Sequence, residues 1–383
     1  MKILLLSGGI PSKNNPQSGC FAMDQAIALK NAGHEVSIFA INGLIGREWK
    51  KPGLNHWKQE GVDCFELFGL PIGILSKLGL KKLGIRLTEW ASRKCFKKIV
   101  EKVGFPDIVH AHFLFTMVMG VAIKKDYPIT LIGTEHWSRL AEPNLDKVTV
   151  YQAQRGYPGV DRLITVSKEL RDCVKNKFGR ESIVIHNLFN TSSLMPALPE
   201  TDNKIYTIIA VGSLIPRKGF DLLIKAFAKT KLVDRDVILN IYGKGPDKEV
   251  LENLIEALGL KGSVNLCGQK TKEEIYDALR HSDLFALSSK QETFSVAIIE
   301  ATGNGLPAVA TQCGIVNEFD FKDVIKVPVD NIEAMKVALE EAYDNRDSVD
   351  RIAIQQQTID NFSPEAIVVK LEKVYKEVSK EKR

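Results

Sequence analysis

The sequence predicts an α/β protein with two doubly wound parallel sheets, one in each half of the chain. Its 383 residues correspond to two domains, at roughly 100–200 residues per domain. Short apolar runs alternate with longer helical stretches from end to end, which is the pattern of parallel strands joined by crossover helices. The stretch 191–204 is rich in Pro, Ser, Thr and Asp and has no apolar periodicity. We therefore expect a first domain over 1–195 and a second domain over 196–363.

Each strand is predicted from a run of apolar residues bounded by turn residues. In the first half these runs are 2–8, 34–40, 62–68, 107–113, 129–136, 162–167 and 183–189. In the second half they are 206–214, 237–243, 264–268, 284–289, 308–311 and 324–329. Ligands of open parallel sheets bind outside the carboxyl ends of the strands, so we expect the functional residues in the loops that follow these runs.

The composition excludes several classes of protein. Hydrophobic residues make up 44% and charged residues 26%, which is typical of a globular chain and unlike a disordered or fibrous one. A net charge of +5 over this length is far weaker than that of a dedicated nucleic-acid binder, so no nucleic-acid partner is expected. No stretch offers the roughly 18–20 unbroken apolar residues of a membrane span, so any membrane contact would be peripheral.

The six cysteines are scattered without the short spacings of a zinc site or a disulfide framework, which favours a reducing cytoplasm. No metal is expected. Asp234 and Asp236 form an acidic pair, but they precede their strand and therefore lie at the wrong edge of the sheet for a ligand site.

The first candidate site is the segment GSLIPRKGF, from Gly212 to Phe220. It places Arg217 and Lys218 after a strand and just before an amphipathic helix. Two cations beside the unpaired backbone donors of a helix N-terminus suit a diphosphate. A solvated loop is the alternative interpretation of the same pair.

The second candidate site is the segment 290–311, which follows the strand at 284–289. Glu292 lies in the loop and Glu300 lies about two turns into the next helix, so both carboxylates can face one pocket. The alternative is a helix-terminal carboxylate and a separate solvated one.

Taken in order, GSLIPRKG, YGKGP at 242–246 and ETFSVAIIEATGNGLPAVAT at 292–311 resemble the retaining glycosyltransferases of the GT-B fold, specifically family 4. The family shares a Glu, seven residues, Glu signature, here Glu292 and Glu300. The first half agrees in its first loop and helix, in PDIVHAHF at 106–113 and in GTEH at 133–136. Ser295 departs from the pattern, because many members have Gly there.

The resemblance implies roles for individual residues. Arg217 and Lys218 would hold the donor diphosphate and stabilise the charge that develops on it. Glu300 would bind the ribose hydroxyls, and Glu292 would contact the transferred sugar, as would His136 from the first domain. The remaining donor-binding positions would act through their backbone or their lack of a side chain: Gly19, Gly212, Gly243, Thr293, Phe294 and Ser295.

The implied function is transfer of a sugar from a UDP- or GDP-type donor to a hydroxyl of a glycan or lipid-linked acceptor, in the synthesis of cell-surface polysaccharide or glycoconjugate. The donor would be a substrate, and neither a cofactor nor a metal would be required. Closure of the domains would bring His136 and Glu292 to the donor. By the same resemblance, the C-terminal helix at 364–383 would dock back onto the first domain. The alternatives are a GT-B sugar-nucleotide epimerase or phosphorylase, a nicotinamide-dependent dehydrogenase and a noncatalytic carbohydrate-binding or scaffolding protein. Against the dehydrogenase, no strand precedes a GxGxxG loop.

Two weaker signals concern the acceptor. Alternation along the strand at 107–113 predicts that His110 and His112 point to the same face, with His112 as an acceptor-side candidate. The segment 76–103 interleaves nine Lys and Arg residues with leucines and aromatics. This pattern favours peripheral contact with an anionic membrane, here the inner face of the cell membrane, over an ordinary solvated helix.

Overall fold

The computed structural model describes residues 1–15, 17–43, 51–191, 194–196 and 205–381. It divides into two compact units. The N-terminal unit comprises Met1–Leu188 and Pro364–Arg383, and the C-terminal unit comprises Phe189–Ser363. Most of the predicted connection at 191–204 lies outside the described residues.

The N-terminal unit contains an eight-stranded sheet in the order β3-β4-β2-β1-β5-β6-β7-β8. Its strands are β1 Lys2–Ser7, β2 Glu35–Gly43, β3 Gly53–Gln59, β4 Val62–Leu70, β5 Ile108–His112, β6 Leu131–Glu135, β7 Arg162–Thr165 and β8 Ile183–Val184. Its first six helices are α1 Cys20–Asn31, α2 Ile72–Lys77, α3 Lys81–Val103, α4 Leu114–Lys124, α5 Lys147–Gly156 and α6 Lys168–Phe178.

The C-terminal unit contains a six-stranded sheet in the order β11-β10-β9-β12-β13-β14. Its strands are β9 Tyr206–Val211, β10 Val237–Tyr242, β11 Val264–Gly268, β12 Leu284–Leu287, β13 Ala308–Thr311 and β14 Val324–Val327. Its helices are α7 Phe220–Ala228, α8 Lys248–Ala257, α9 Lys272–Arg280, α10 Val296–Gly303, α11 Ile332–Asp344 and α12 Arg351–Phe362, and the chain then ends in α13 Pro364–Glu381.

The predicted fold class is confirmed, because both sheets are parallel apart from the β3–β4 pair. Each predicted run overlaps one of the observed strands, although β2 and β4 continue to Gly43 and Leu70, beyond the ends of their runs. The antiparallel edge strand β3 was missed. Its residues are mostly only partly buried, so the apolar alternation that reveals the other strands is weak there.

The boundary between the units follows Leu188 and not the predicted residue 195. The backbone N–H of Phe189 donates to the carbonyl of Phe362, and the side-chain amide of Gln355 donates to the carbonyl of Met195. These contacts attach Phe189 and Met195 to the C-terminal unit, so the boundary precedes the Pro-rich stretch 191–204 and does not lie within it.

Helix α13 belongs to the N-terminal unit, although it follows the C-terminal unit in sequence. Its apolar stripe joins the core formed by α1 and the N-terminal strands. The hydroxyl of Tyr375 lies 2.7 Å from Nδ1 of His110, which ties α13 to the middle of that sheet.

Candidate active site

The C-terminal unit presents its candidate residues in two loops, after β9 and after β12. The β9 loop makes one turn of 3₁₀ helix, Pro216–Lys218, and then enters α7. Gly219, between them, has φ 63°, and a Cβ there would lie 2.2 Å from the carbonyl oxygen of Ser288. Only glycine permits this approach. The two loops are therefore held against each other.

Lys218 and Glu292 form an ion pair across these loops. Nζ of Lys218 lies 2.5 Å from Oε1 of Glu292, and the Ser289 hydroxyl donates to the same oxygen at 2.7 Å. The two charged side chains are 16% and 8% exposed. Each charge thus compensates the cost of removing the other from water.

Arg217 lies beside this pair and is only partly buried. Its Nη1 donates to the carbonyl of Gln291 at 3.3 Å, and its own carbonyl accepts from the backbone N–H of Lys290. A guanidinium carries five N–H donors, so most of its capacity to bind an anion remains after this single bond.

Ser295 precedes α10 in an unusual conformation. Its φ is 73°, and its buried hydroxyl has no hydrogen-bond partner in the described structure. A serine in the left-handed region is strained by roughly 1–2 kcal/mol. Backbone strain of this kind clusters at active sites and ligand-binding segments.

Thr293 and Phe294 precede Ser295 in the loop between β12 and α10. Thr293 is half-buried, and Phe294 is buried with its ring packed edge-on against Phe362. Glu300 lies in α10 and is half-buried. The N-terminus of α10 carries the partial positive charge of a helix and favours an anion.

Gly212 and Gly243 lie in contact with each other in the loops after β9 and β10, at the same edge of the sheet. A Cβ on Gly243, whose φ is 148°, would lie 1.8 Å from the carbonyl oxygen of Gly212. The backbone of the β9 loop thus packs directly against that of the loop after β10.

In the N-terminal unit, three histidines stack where β5 and β6 end. The rings of His110 and His112 are 4.8 Å apart, as their alternation predicts. Nδ1 of His112 lies 3.0 Å from Nε2 of His136, while Nε2 of His112 is buried without a partner in the described structure. Burial lowers the pKa of His136 to about 4 and of His110 to about 3, and holds the pKa of His112 well below its usual range. All three imidazoles are therefore neutral at pH 7.

Glu135, which the sequence interpretation did not single out, is fully buried next to His136. Its Oε1 accepts from the backbone N–H groups of His136 and Trp137, and its Oε2 accepts from the hydroxyl of Tyr157 at 2.9 Å. Burial raises its pKa to about 7 in spite of these bonds. The signal for Glu135 in the sequence is a carboxylate at the end of a strand that has no other charged residue.

Gly19 initiates α1 with φ 70°. A Cβ there would lie 2.0 Å from the carbonyl oxygen of Gly9. Glycine is therefore required at position 19 because the protein's own backbone passes so close to it. Approach of a diphosphate at Gly19 stays a prediction.

The described residues contain no group of three or more His, Cys, Asp or Glu side chains arranged to hold a metal ion. Asp234 ends a short 3₁₀ turn that precedes β10. Among the helices described, none combines the length and the apolar character that a membrane span requires.

Models of two protein families match this chain. The model described as Glycosyltransferase Family 4 matches residues 21–193, and the model described as Glycosyl transferases group 1 matches residues 196–358. Together they extend over most of both units.

Curated relatives are similar over parts of the chain. An uncharacterised glycosyltransferase of Haemophilus influenzae is 32% identical over 40% of this chain and 42% of its own. A phosphatidylinositol N-acetylglucosaminyltransferase chain of Arabidopsis thaliana is 25% identical over 61% and 54%, respectively. The lipopolysaccharide core biosynthesis glycosyltransferase LpsD of Rhizobium meliloti is 24% identical over 75% and 73%. The chain spans about half the length of the first two.

Solved structures of the same fold align over nearly all of the chain. Sucrose-phosphate synthase of Thermosynechococcus elongatus aligns with a TM-score of 0.77 and 16% identity over 99% of both chains. HepE of Anabaena, solved with UDP-glucose, aligns with a TM-score of 0.72 and 18% identity over 98% of this chain and 100% of its own. With the two family matches, these alignments confirm the resemblance seen in the sequence: the chain belongs to the glycosyltransferases of the group 1 and family 4 type and has the GT-B fold.

Proposed function

We propose that this protein transfers a sugar from a nucleoside diphosphate-sugar to a hydroxyl group of a glycan or lipid-linked acceptor. The observation that carries the proposal is the cluster in the C-terminal unit, where Arg217, the Lys218–Glu292 pair and the N-terminus of α10 meet at the carboxyl edge of one parallel sheet. Membership of the family supports transfer over the epimerase and dehydrogenase alternatives.

In this proposal Arg217 and Lys218 bind the diphosphate. Lys218 has three N–H donors and uses one on Glu292, so the ammonium can bind phosphate oxygens without leaving its partner. Gly212 and Gly243 keep side chains away from the diphosphate. The backbone amides of Thr293, Phe294 and Ser295 bind phosphate or sugar oxygens, and Glu300 binds the ribose hydroxyls.

The chemical step follows from the charge that develops on the leaving group. The bond between the anomeric carbon and the diphosphate oxygen breaks while the acceptor oxygen bonds to that carbon, and the acceptor proton passes to the departing diphosphate. Arg217 and Lys218 stabilise the resulting anion, which is where preorganised charge contributes most to catalysis. Departure and attack on the same face would retain the anomeric configuration.

Glu292 and His136 are proposed to contact the transferred sugar. Oε1 of Glu292 already accepts two hydrogen bonds, which fixes the carboxylate in one orientation. His136 is neutral at pH 7, so it contributes a hydrogen bond and not a charge. His112, which bonds to His136, is proposed to act on the acceptor side. No metal or cofactor takes part in this scheme.

Two curated relatives have names that include phosphatidylinositol and lipopolysaccharide, both lipid-bearing molecules. We propose that this protein works in the cytoplasm at the inner face of the cell membrane, on a glycoconjugate acceptor. The six cysteines are free thiols, consistent with a reducing compartment. The basic segment 76–103 is the proposed contact with anionic lipid.

A release assay tests the proposed reaction. The protein is incubated with UDP-glucose, UDP-N-acetylglucosamine or GDP-mannose, with and without a bacterial lipid extract, and the freed nucleoside diphosphate is measured. We expect acceptor-dependent release from one donor, and a fall of about 10²-fold in Arg217→Met because one stabilising contact to the anion is lost. Arg235→Met, an exposed arginine stacked on Tyr343, is the matched control. Equal release by wild type and Arg217→Met would contradict the proposed site.

A further inference from the structure

The N-terminal unit contains a pocket of about 280 Å³ at the carboxyl edge of its sheet. Ser7, the last residue of β1, lines it together with residues of helices α2, α3, α4 and α5. Most of the lining is apolar, and its principal side chains are Ile41, Ile72, Ile85, Phe115, Val118 and Met119. An apolar cavity of this kind favours a hydrocarbon group over a sugar.

The rim of the pocket is exposed, apolar and cationic. Ser76 and Lys81 line the pocket and are also exposed to solvent. Beside them, Leu78, Leu80 and Leu83 are 66%, 47% and 51% exposed. Large apolar side chains exposed together at a pocket indicate a binding surface.

Within the residues that the structure describes, the positive charge at this rim is not neutralised by ion pairs. Only Glu89 and Glu101 are acidic within 76–103, and Glu89 is bound by Arg155 in a bidentate ion pair. Lys77, Lys81 and Arg86 are exposed and form no ion pair within the described part of the chain. The rim therefore favours an anionic group.

We propose that this pocket binds the hydrocarbon chain of a phosphate-bearing lipid, with the lipid phosphate at the Lys81 rim. Each methylene buried contributes to affinity, and the cations at the rim select an anionic head. That this lipid is the acceptor rests on the proposed function, whereas the binding of the lipid itself does not. Strands β1 and β5 are neighbours in the sheet, so the pocket lies at the same sheet edge as His112.

The helix break at 78–80 explains how one segment both lines the pocket and forms its exposed rim. Gly79, with φ 76°, separates α2 from α3. The two helices then place Ile72 and Ile85 in the pocket while Leu78 and Leu83 remain exposed. A continuous helix through this segment would present a different set of faces.

Gly84 is a position where a larger side chain would enter the pocket. It is buried in α3 and lines the pocket, and a Cβ there would meet Ile72 and Leu75 at ordinary contact distances of 3.7 and 3.9 Å. Leucine is also a better helix former than glycine. We therefore expect Gly84→Leu to fold, and urea unfolding of the variant checks this before its binding is measured.

The test measures binding of farnesyl phosphate by calorimetry, with farnesol and inorganic phosphate as tail-only and head-only probes. We expect farnesyl phosphate to bind more tightly than either. Gly84→Leu should weaken it about tenfold or more, because excluding two methylenes suffices for that factor. Lys81→Gln should weaken it and reduce its salt dependence, while Lys125→Gln, which changes an exposed lysine at the C-terminal end of α4 away from the pocket, should not.

Unchanged binding of farnesyl phosphate by a folded Gly84→Leu variant, or no binding by the wild type, would overturn the proposal that this pocket binds lipid. Equal losses in Lys81→Gln and Lys125→Gln with no effect of Gly84→Leu would also overturn it, in favour of attraction by positive surface charge without a lipid pocket. Binding of UDP and GDP, measured on the same preparations, separates the two proposals: pocket-dependent lipid binding without nucleotide binding would support the pocket and contradict the proposed function.

Discussion

Nζ of Lys218 and Oε1 of Glu292 lie 2.5 Å apart although the two residues are 74 positions apart in the chain. The pair joins the loop after β9 to the loop after β12, and Ser289 fixes the same carboxylate oxygen. Two residues with separate implied roles in donor binding therefore form one unit. A change to either is expected to alter the position of the other.

This coupling predicts a strongly non-additive effect on stability. Lys218→Met should lower the free energy of unfolding by about 3–5 kcal/mol, because it leaves a buried carboxylate unpaired. The double variant Lys218→Met/Glu292→Gln should lose less than the sum of the single variants. Urea unfolding of all four proteins measures the coupling.

The control for this cycle is Lys225→Met. Lys225 pairs with Asp221 on the exposed face of α7, with both side chains about 40% exposed, so its loss should cost less than about 1 kcal/mol. Additive effects at Lys218 and Glu292 would show that the buried pair contributes no coupling. The expected destabilisation also makes Arg217, and not Lys218, the better position for testing diphosphate binding.

Ser295→Gly is predicted to stabilise the protein. Glycine relieves the strain at φ 73° and removes a buried hydroxyl that lacks a partner in the described structure. These gains exceed the roughly 0.5–1 kcal/mol of extra backbone entropy that glycine loses on folding, so we expect a net gain of about 1 kcal/mol. Ser295→Ala removes the hydroxyl but keeps the strain, and should gain less.

Thermal or urea unfolding of both Ser295 variants checks this order. A Ser295→Gly variant less stable than the wild type would contradict the account of strain. If the hydroxyl binds the donor, the more stable glycine variant should bind nucleotide-sugar more weakly, a combination that a purely structural role does not produce.

Glu135→Gln is predicted to change the pH dependence of stability. The pKa of Glu135 is raised from 4.5 to about 7 in the folded protein. Between these two values the folded state holds a proton that the unfolded state has lost, so this residue's contribution to stability is highest at low pH and falls as pH rises towards 7. The glutamine side chain keeps the shape of Glu135 and does not titrate.

The measurement is the difference in unfolding free energy between wild type and Glu135→Gln, from about pH 4.5 to pH 8. We expect the wild type to lose stability relative to the variant as pH rises, by no more than about 1.4 kcal/mol per pH unit, and the difference to level off above pH 7. The neighbouring histidines titrate in both proteins, so their effect largely cancels. A difference independent of pH would contradict the raised pKa.

Much of the fold follows from local patterns in the sequence. Buried strands such as β5 and β12 are short apolar runs, and period-two alternation correctly places His110 and His112 on one face. Strand β3 was not predicted because an edge strand is partly solvated and so lacks a clear apolar pattern. The boundary at Leu188 depends on the tertiary contacts of Phe189, which no local pattern shows.

The candidate site, like the fold, could be predicted from the sequence only in part. Residue types identify Arg217, Glu292 and Glu300, because cations and carboxylates after parallel strands are visible in sequence. The Lys218–Glu292 pair and the burial of Glu135 arise from segments that meet only after folding. The left-handed conformation of Ser295 is likewise imposed by its loop, since serine itself does not favour it.

The central claim is that the C-terminal unit binds the diphosphate of a nucleotide-sugar through Arg217. Isothermal titration of UDP, GDP, ADP and NAD tests it most directly, with wild type, Arg217→Met and the control Arg235→Met. We predict that one nucleoside diphosphate binds, that Arg217→Met weakens it about tenfold or more through loss of a charge-assisted bond, and that Arg235→Met does not. Binding of NAD alone, or equal binding by wild type and Arg217→Met, would contradict the claim.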